Sequence, residues 1–196
     1  MSDPRTTDDR ARCWWAVGER PDPRMLVYHD EDWGTPVHGD AELFERLSLE
    51  AFQAGLSWST ILNKWETFAT AFRGFEPDVV AAFDDGDRAR LMADAGIVRN
   101  GAKIDATIAN ARVAVELAAE FGSLDAYFRS LVPPARPLPP DTTSGGLPVT
   151  TPVAEALSKD LKRRGMRFVG PTVVYSFMQS VGLVDDHLPG CFRYRG

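Results

Sequence analysis

The sequence predicts an all-α fold. Apolar residues recur at intervals of three and four along most of the chain, helix start and stop signals bracket several of those stretches, and no convincing run of strands interrupts them. Residues 1–11 are charged and lack apolar periodicity, which predicts a disordered tail ahead of a single helical domain over residues 12–196. A helix beginning near Asp40 places Leu43, Phe44, Leu47 and Ala51 on one face and ends at Gly55. From Trp58, the positions Ile61, Leu62, Trp65, Phe68 and Phe72 predict one continuous amphipathic helix. Ile104, Ile108, Ala111 and Val115 predict another. The Pro-, Gly-, Ser- and Thr-rich stretch 133–151 predicts an irregular surface loop. After it, Thr151 caps a helix with Pro152 and Glu155 in its first turn and Lys162, Arg163 and Arg164 in its last, matching the helix dipole. Gly170-Pro171 opens a further helix carrying Val174, Phe177, Met178 and Val181 on one face.

With 196 residues, 44% of them hydrophobic, the chain can bury a sizeable core as one domain. It has no apolar run of membrane-spanning length and opens on a polar segment, so the expectation is a soluble, cytoplasmic monomer with no membrane partner. The net charge of −6 argues by itself against nucleic acid, because binding a phosphate backbone requires positive groups. Positive groups nevertheless cluster at Lys162, Arg163, Arg164 and Arg167, and at Arg99 with Lys103. A solvated helix face is the commoner reason for either cluster.

Both cysteines and two of the three histidines fall in two local pairs, Cys13 with His29 and His187 with Cys191. Thiolate and imidazole are the ligands of a tetrahedral structural Zn2+ site, commonly delivered as two pairs that folding brings together. Here the site would clip the first turn of the domain to its last and restrain two segments that otherwise fray. Two other readings stand beside it: buried cysteines with satisfied histidines, and a Cys13–Cys191 disulfide, the latter disfavoured in a reducing cytoplasm.

Glu50 lies between Leu47 and Ala54 at helical spacing, beside an apolar face. It is either a functional carboxylate or an exposed flank residue. Aromatics gather near the metal pairs: Trp14 and Trp15 follow Cys13, and Tyr28 and Trp33 flank His29. An aromatic cleft with a carboxylate at its rim suits a flat heteroaromatic ligand such as a nucleobase, though core packing also uses such residues. Over residues 91–104 two helical halves meet at a turn containing Gly96, a pattern similar to the helix-hairpin-helix element that offers backbone N–H groups to a DNA phosphate.

Taken together, the ordered motifs resemble the DNA-3-methyladenine glycosylase I family of the helix-hairpin-helix superfamily. The resemblance runs from Cys13 to Cys191 through Tyr28-His29-Asp30-x-x-Trp33-Gly34, Gln53-Ala54-Gly55-Leu56-Ser57-Trp58, Ala95-Gly96-Ile97-x-Arg99, Gly165-x-x-Phe168-Val169-Gly170 and Tyr175-Ser176-Phe177-Met178-Gln179. It implies an all-helical fold, a structural zinc, and hydrolytic removal of 3-methyladenine from double-stranded alkylated DNA. By resemblance Cys13, His29, His187 and Cys191 match the zinc ligands and Glu50 the acidic residue at the edge of the excised base. Tyr28 and Trp58 match the walls of the base pocket, and Trp15 and Trp33 further aromatic positions around it. Leu56 matches the residue that helps fill the gap left by the flipped nucleotide, and Gly96, Arg99 and Lys103 fall on the DNA-facing hairpin. Two departures stand out: Met25 occupies a position where relatives often have a pocket Tyr, and Ala51-Phe52 replaces a smaller or more polar pair after the Glu. A lesion-binding protein without catalysis would keep the hairpin and aromatics but have no need of Glu50. A zinc-stapled interaction domain would need neither.

Overall fold

The structure, a computed structural model, describes residues 9–18 and 22–196. Among these the chain forms eleven α-helices and no strand, apart from an isolated bridge between Pro137 and Asp185. The order is α1 (Trp14–Val17), α2 (Pro23–Val27), a π-helical turn (Tyr28–Asp32), α3 (Asp40–Gln53), α4 (Trp58–Leu62), α5 (Trp65–Ala71) and α6 (Pro77–Ala81). It continues with α7 (Asp85–Ala93), α8 (Gly101–Phe121), α9 (Leu124–Leu131), α10 (Pro152–Arg163) and α11 (Pro171–Ser180). Of the expected tail, residues 1–8 lie outside the described residues. Ala11 is already engaged, its carbonyl accepting from the Phe192 N–H at 2.8 Å.

Helix α3 is the central rod. It packs on α8 and α11, and its buried Leu43, Phe44, Leu47, Leu49 and Phe52 meet Phe68, Phe72 and Phe75 in the main core. Burying each such side chain contributes roughly 1.5–3 kcal/mol. The local signals explain the boundaries. Thr151 Oγ1 accepts from Ala154 N–H at 3.1 Å to start α10, and Asn100 Oδ1 accepts from Lys103 N–H at 3.2 Å to start α8.

The helix expected from Trp58 onward is two. α4 stops at Leu62, and Lys64 leaves helical geometry (φ −112°, ψ 3°) as its ammonium donates to the carbonyls of Ala95 at 2.9 Å and Gly96 at 3.3 Å. Those two charge-assisted bonds to a distant turn outweigh one more turn of local helix, and they seat the α7–α8 connection on the start of α5. The loop 133–151 is irregular, as expected, with one 3-10 turn at Ser144–Gly146. It is more than surface, since Ser144, Leu147, Pro148 and Val149 wall the cavity described below.

Candidate active site and metal centre

The π-helical turn organises both centres. The Trp33 N–H bonds to the Tyr28 carbonyl at 2.8 Å, five residues back, and such single wide turns interrupt helices where side chains must be aimed. His29, on this turn, joins Cys13, His187 and Cys191, whose ligand atoms all lie within 4.8 Å of one another and are buried. Cys191 Sγ is 3.4 Å from His29 Nε2 and 3.7 Å from His187 Nδ1, and Cys13 Sγ is 3.8 Å from His187 Nδ1. Bond lengths of about 2.3 Å to sulfur and 2.0–2.1 Å to nitrogen give tetrahedral S···N edges of about 3.6 Å, so the group fits one metal ion. Both cysteines are free thiols, which removes the disulfide reading.

The surroundings support a ligand set. The N–H groups of Leu188 and Arg193 each reach a cysteine sulfur at 3.4 Å. His29 Nδ1 pairs with Asp30 Oδ1 at 2.8 Å, so Nε2 faces the centre, where it accepts from the Cys13 N–H at 3.3 Å, and Arg12 grips Asp30 at 2.7 Å. Burial pushes the Cys13 thiol up to about 12 and the His187 imidazole down to about 4, so these two donors are neutral unless a cation draws them to it. Gly34 lets the backbone run close by: a Cβ there would sit 2.9 Å from His187 Nε2, and its φ of +74° suits only glycine.

Beside the centre lies a cavity of about 480 Å³ lined by Trp14, Trp15, Met25, Tyr28, Trp33, Glu50, Gln53, Trp58, Ser176, Gln179 and the loop residues named above. Tyr28 and Trp58 have ring centroids 5.2 Å apart, and Trp15 and Trp33 meet edge to face at 5.0 Å. Trp15 also lies 5.2 Å from the His29 ring and Trp33 4.8 Å from the His187 ring, so the two tryptophans belong to both centres.

Glu50 reaches the cavity from α3 while only 5% exposed. Among the described residues no hydrogen-bond donor or ion-pair partner meets its carboxyl. Burial pushes that carboxyl up to about 8, with Arg46 drawing it back. The flank reading of Glu50 therefore gives way to a buried, chemically available acid. Burial, then the Glu50 charge, raises the Tyr28 phenol well above its ordinary value, so Tyr28 stays a neutral hydroxyl.

The remaining expected residues divide. Leu56 is exposed on a turn where Gly55 takes φ +82°. Arg99 is exposed and Gly96 partly buried in the connection from α7 to α8. Gly96 N–H bonds to Asp94 Oδ1 at 2.7 Å. Lys103 is buried, and its Nζ donates to the carbonyls of Phe52 and Ala54, both at 2.7 Å. This corrects the expectation of a side chain facing DNA: the ammonium closes the C-terminal end of α3 instead. Met25 lines the cavity as placed, and Phe52 is core rather than pocket.

Two cavity residues, Ser176 and Gln179, were not among the expected site residues. Ser176 and Gln179 are three apart on α11, on the side away from Val174, Phe177 and Met178, so helical spacing carried the signal. Arg46 gave one as well: a cation four residues before Glu50, inside the apolar stripe of α3.

The body is all-helical, with an aromatic cavity, one available carboxyl and a buried group of two thiols and two imidazoles beside it. The sequence model for methyladenine glycosylase matches residues 15–194, and the chain belongs to that family. It is 43% identical to DNA-3-methyladenine glycosylase 1 of Escherichia coli (strain K12) over 185 residues, 94% of this chain and 97% of that protein. It superposes on a crystal structure of 3-methyladenine DNA glycosylase I with TM-score 0.85 and 40% identity, covering 94% of this chain and 100% of the other. A tyrosine-to-phenylalanine variant of such an enzyme in complex with 3-methyladenine gives TM-score 0.83 at 35% identity, covering 89% and 94%.

Proposed function

We propose that the protein excises 3-methyladenine from double-stranded alkylated DNA as a monofunctional DNA-3-methyladenine glycosylase I. The observation that carries the reading is Glu50, an unpartnered carboxyl set in an aromatic cavity beside Tyr28 and Trp58. The relative solved with 3-methyladenine supports it.

Adenine methylated at N3 is cationic while attached to the sugar and leaves as a neutral base. The N-glycosidic bond breaks, the base takes the bonding electrons, and water supplies the hydroxyl to the sugar carbon while releasing a proton. No strong acid is needed. The protein must instead hold the nucleotide out of the duplex, at a cost of a few kcal/mol, and recover it by stacking and edge contacts. Tyr28 and Trp58 supply stacking, Trp15 and Trp33 shape the wall, and Glu50 accepts from the exocyclic amine. A carboxylate there also favours the cationic substrate over neutral bases.

Cys13, His29, His187 and Cys191 would hold one Zn2+, a structural ion that supplies no chemistry and ties the chain's two ends behind the cavity. The α7–α8 connection, with Gly96 and Arg99, would meet a DNA phosphate as a helix-hairpin-helix element, and Leu56 would enter the gap left by the base. Among the described residues no helix is long and apolar enough to cross a membrane. The protein is read as a cytoplasmic monomer. Incubating it with methylated duplex DNA and separating the released bases tests the function: free 3-methyladenine is expected, and its absence would reject the reading.

A further inference from the structure

Arg46 is a buried cation that the reaction as described does not use. Its side chain is 5% exposed, yet only Nη2 is engaged, at 2.9 Å from Asp32 Oδ1 and 3.7 Å from Glu42 Oε1, and Nε and Nη1 have no partner among the described residues. A guanidinium so poorly satisfied costs stability unless its charge is used elsewhere. Two neighbours use it. Its Cζ lies 4.2 Å from the Trp65 ring centroid, a cation–π stack, and Trp65 packs against Tyr28 at 5.8 Å and Trp58 at 6.1 Å, the walls of the base cavity. It also precedes Glu50 by one helical turn on α3, the spacing at which side chains share a face.

We propose that Arg46 is a positioning residue for base excision, its charge holding Glu50 as a carboxylate when a cationic base enters and its stack holding Trp65 behind Tyr28 and Trp58. The proposal rests on the glycosylase reading above. The other groups around Glu50 are not placed to do this. Tyr28 is neutral, and Asp32, Glu42 and Glu45 carry the opposite sign. From α8, Lys103 is turned to the carbonyls of Phe52 and Ala54. From α11 come the uncharged Ser176 and Gln179, with Asp186 held by Tyr175 and Gln179, and α4 has no titratable residue. Arg46 is the one charge that pulls the buried Glu50 carboxyl down.

Single-turnover release of 3-methyladenine, followed from about pH 5 to about pH 9, reads the midpoint at which the rate rises as Glu50 ionises. Arg46→Met keeps length and apolar contact while removing the charge. It is expected to move the midpoint up by about one unit and to slow release about tenfold on the acid side, with Arg46→Lys restoring much of both. Asp32→Asn, at a partly exposed side chain, removes the nearer of the two carboxylates paired with Arg46 and is expected to move the midpoint down, which supplies the test should Arg46→Met not fold. An unmoved midpoint in folded Arg46→Met, or in Asp32→Asn, would overturn the proposal, as would an equal effect of Arg46→Met in a Glu50→Gln background. If the unaltered protein releases no 3-methyladenine, or Glu50→Gln retains full rate and pH dependence, the fault lies with the reading of Glu50 beneath it.

Discussion

Tyr28 and His29 are consecutive in the chain and face different centres: the Tyr28 ring lies 5.2 Å from Trp58 in the aromatic cavity, while His29 Nε2 lies 3.4 Å from Cys191 Sγ in the Cys/His cluster. One π-helical turn thus carries a cavity wall and a member of the Cys/His cluster, and Trp15 and Trp33 bridge the two by lying against both.

Loss of the metal is therefore expected to act on folding and excision together. Cys191→Ser should lose the bound ion. If the site contributes about 3 kcal/mol, the melting temperature should fall by roughly 6–12 °C in a chain of this size. Metal analysis, melting and base release on the same preparations check it. A metal-free wild-type protein of unchanged melting temperature and rate would contradict the coupling.

Glu50→Gln separates stability from activity. The folded Glu50 carboxyl sits at about 8 against an ordinary 4.5, so between those values the folded state binds more protons than the unfolded one. Wild-type stability from this group is full below about pH 4.5 and declines by roughly 1 kcal/mol per pH unit as pH rises toward 8. Glutamine has no such loss. Denaturation curves should show the variant level with wild type near the acid end and increasingly more stable toward the basic end, while its base release falls. Equal stabilities across the range would mean that the carboxyl is solvated after all.

Lys103 tests an inward role against a DNA contact. Lys103→Met removes two charge-assisted bonds to the carbonyls of Phe52 and Ala54, at a cost of roughly 2–4 kcal/mol in stability. Because this ammonium does not neutralise a phosphate, the salt dependence of DNA binding should keep its slope. A slope reduced by about one, with stability unchanged, would restore the direct contact.

How far the sequence was legible follows from where each signal resided. The Cys/His cluster could be read because cysteines and histidines are rare here and fall in pairs. The starts of α10 and α11 could be read because a cap and an N1 proline act within one turn. The break between α4 and α5 could not, since Lys64 answers to carbonyls about thirty residues away. Lys103 misled for the same reason: a lysine at a hairpin looks solvent-facing until the C-terminal end of α3 is brought beneath it. The loop 133–151 has the composition of a surface loop, and only folding shows Leu147 and Val149 walling the cavity.

If a carboxylate at Glu50 reads the amino edge of a cationic adenine, the identities of the released bases carry its signature. 7-Methylguanine is cationic too, but it presents a carbonyl oxygen where adenine presents an amine, leaving two acceptors face to face at a cost of roughly 1–3 kcal/mol. Chromatography of bases freed from one sample of methylated duplex DNA should show rapid release of 3-methyladenine, with 7-methylguanine about tenfold slower or more, and absent release of uracil from uracil-containing duplex. Comparable rates for the two methylated bases would contradict the role of Glu50 even with glycosylase activity present.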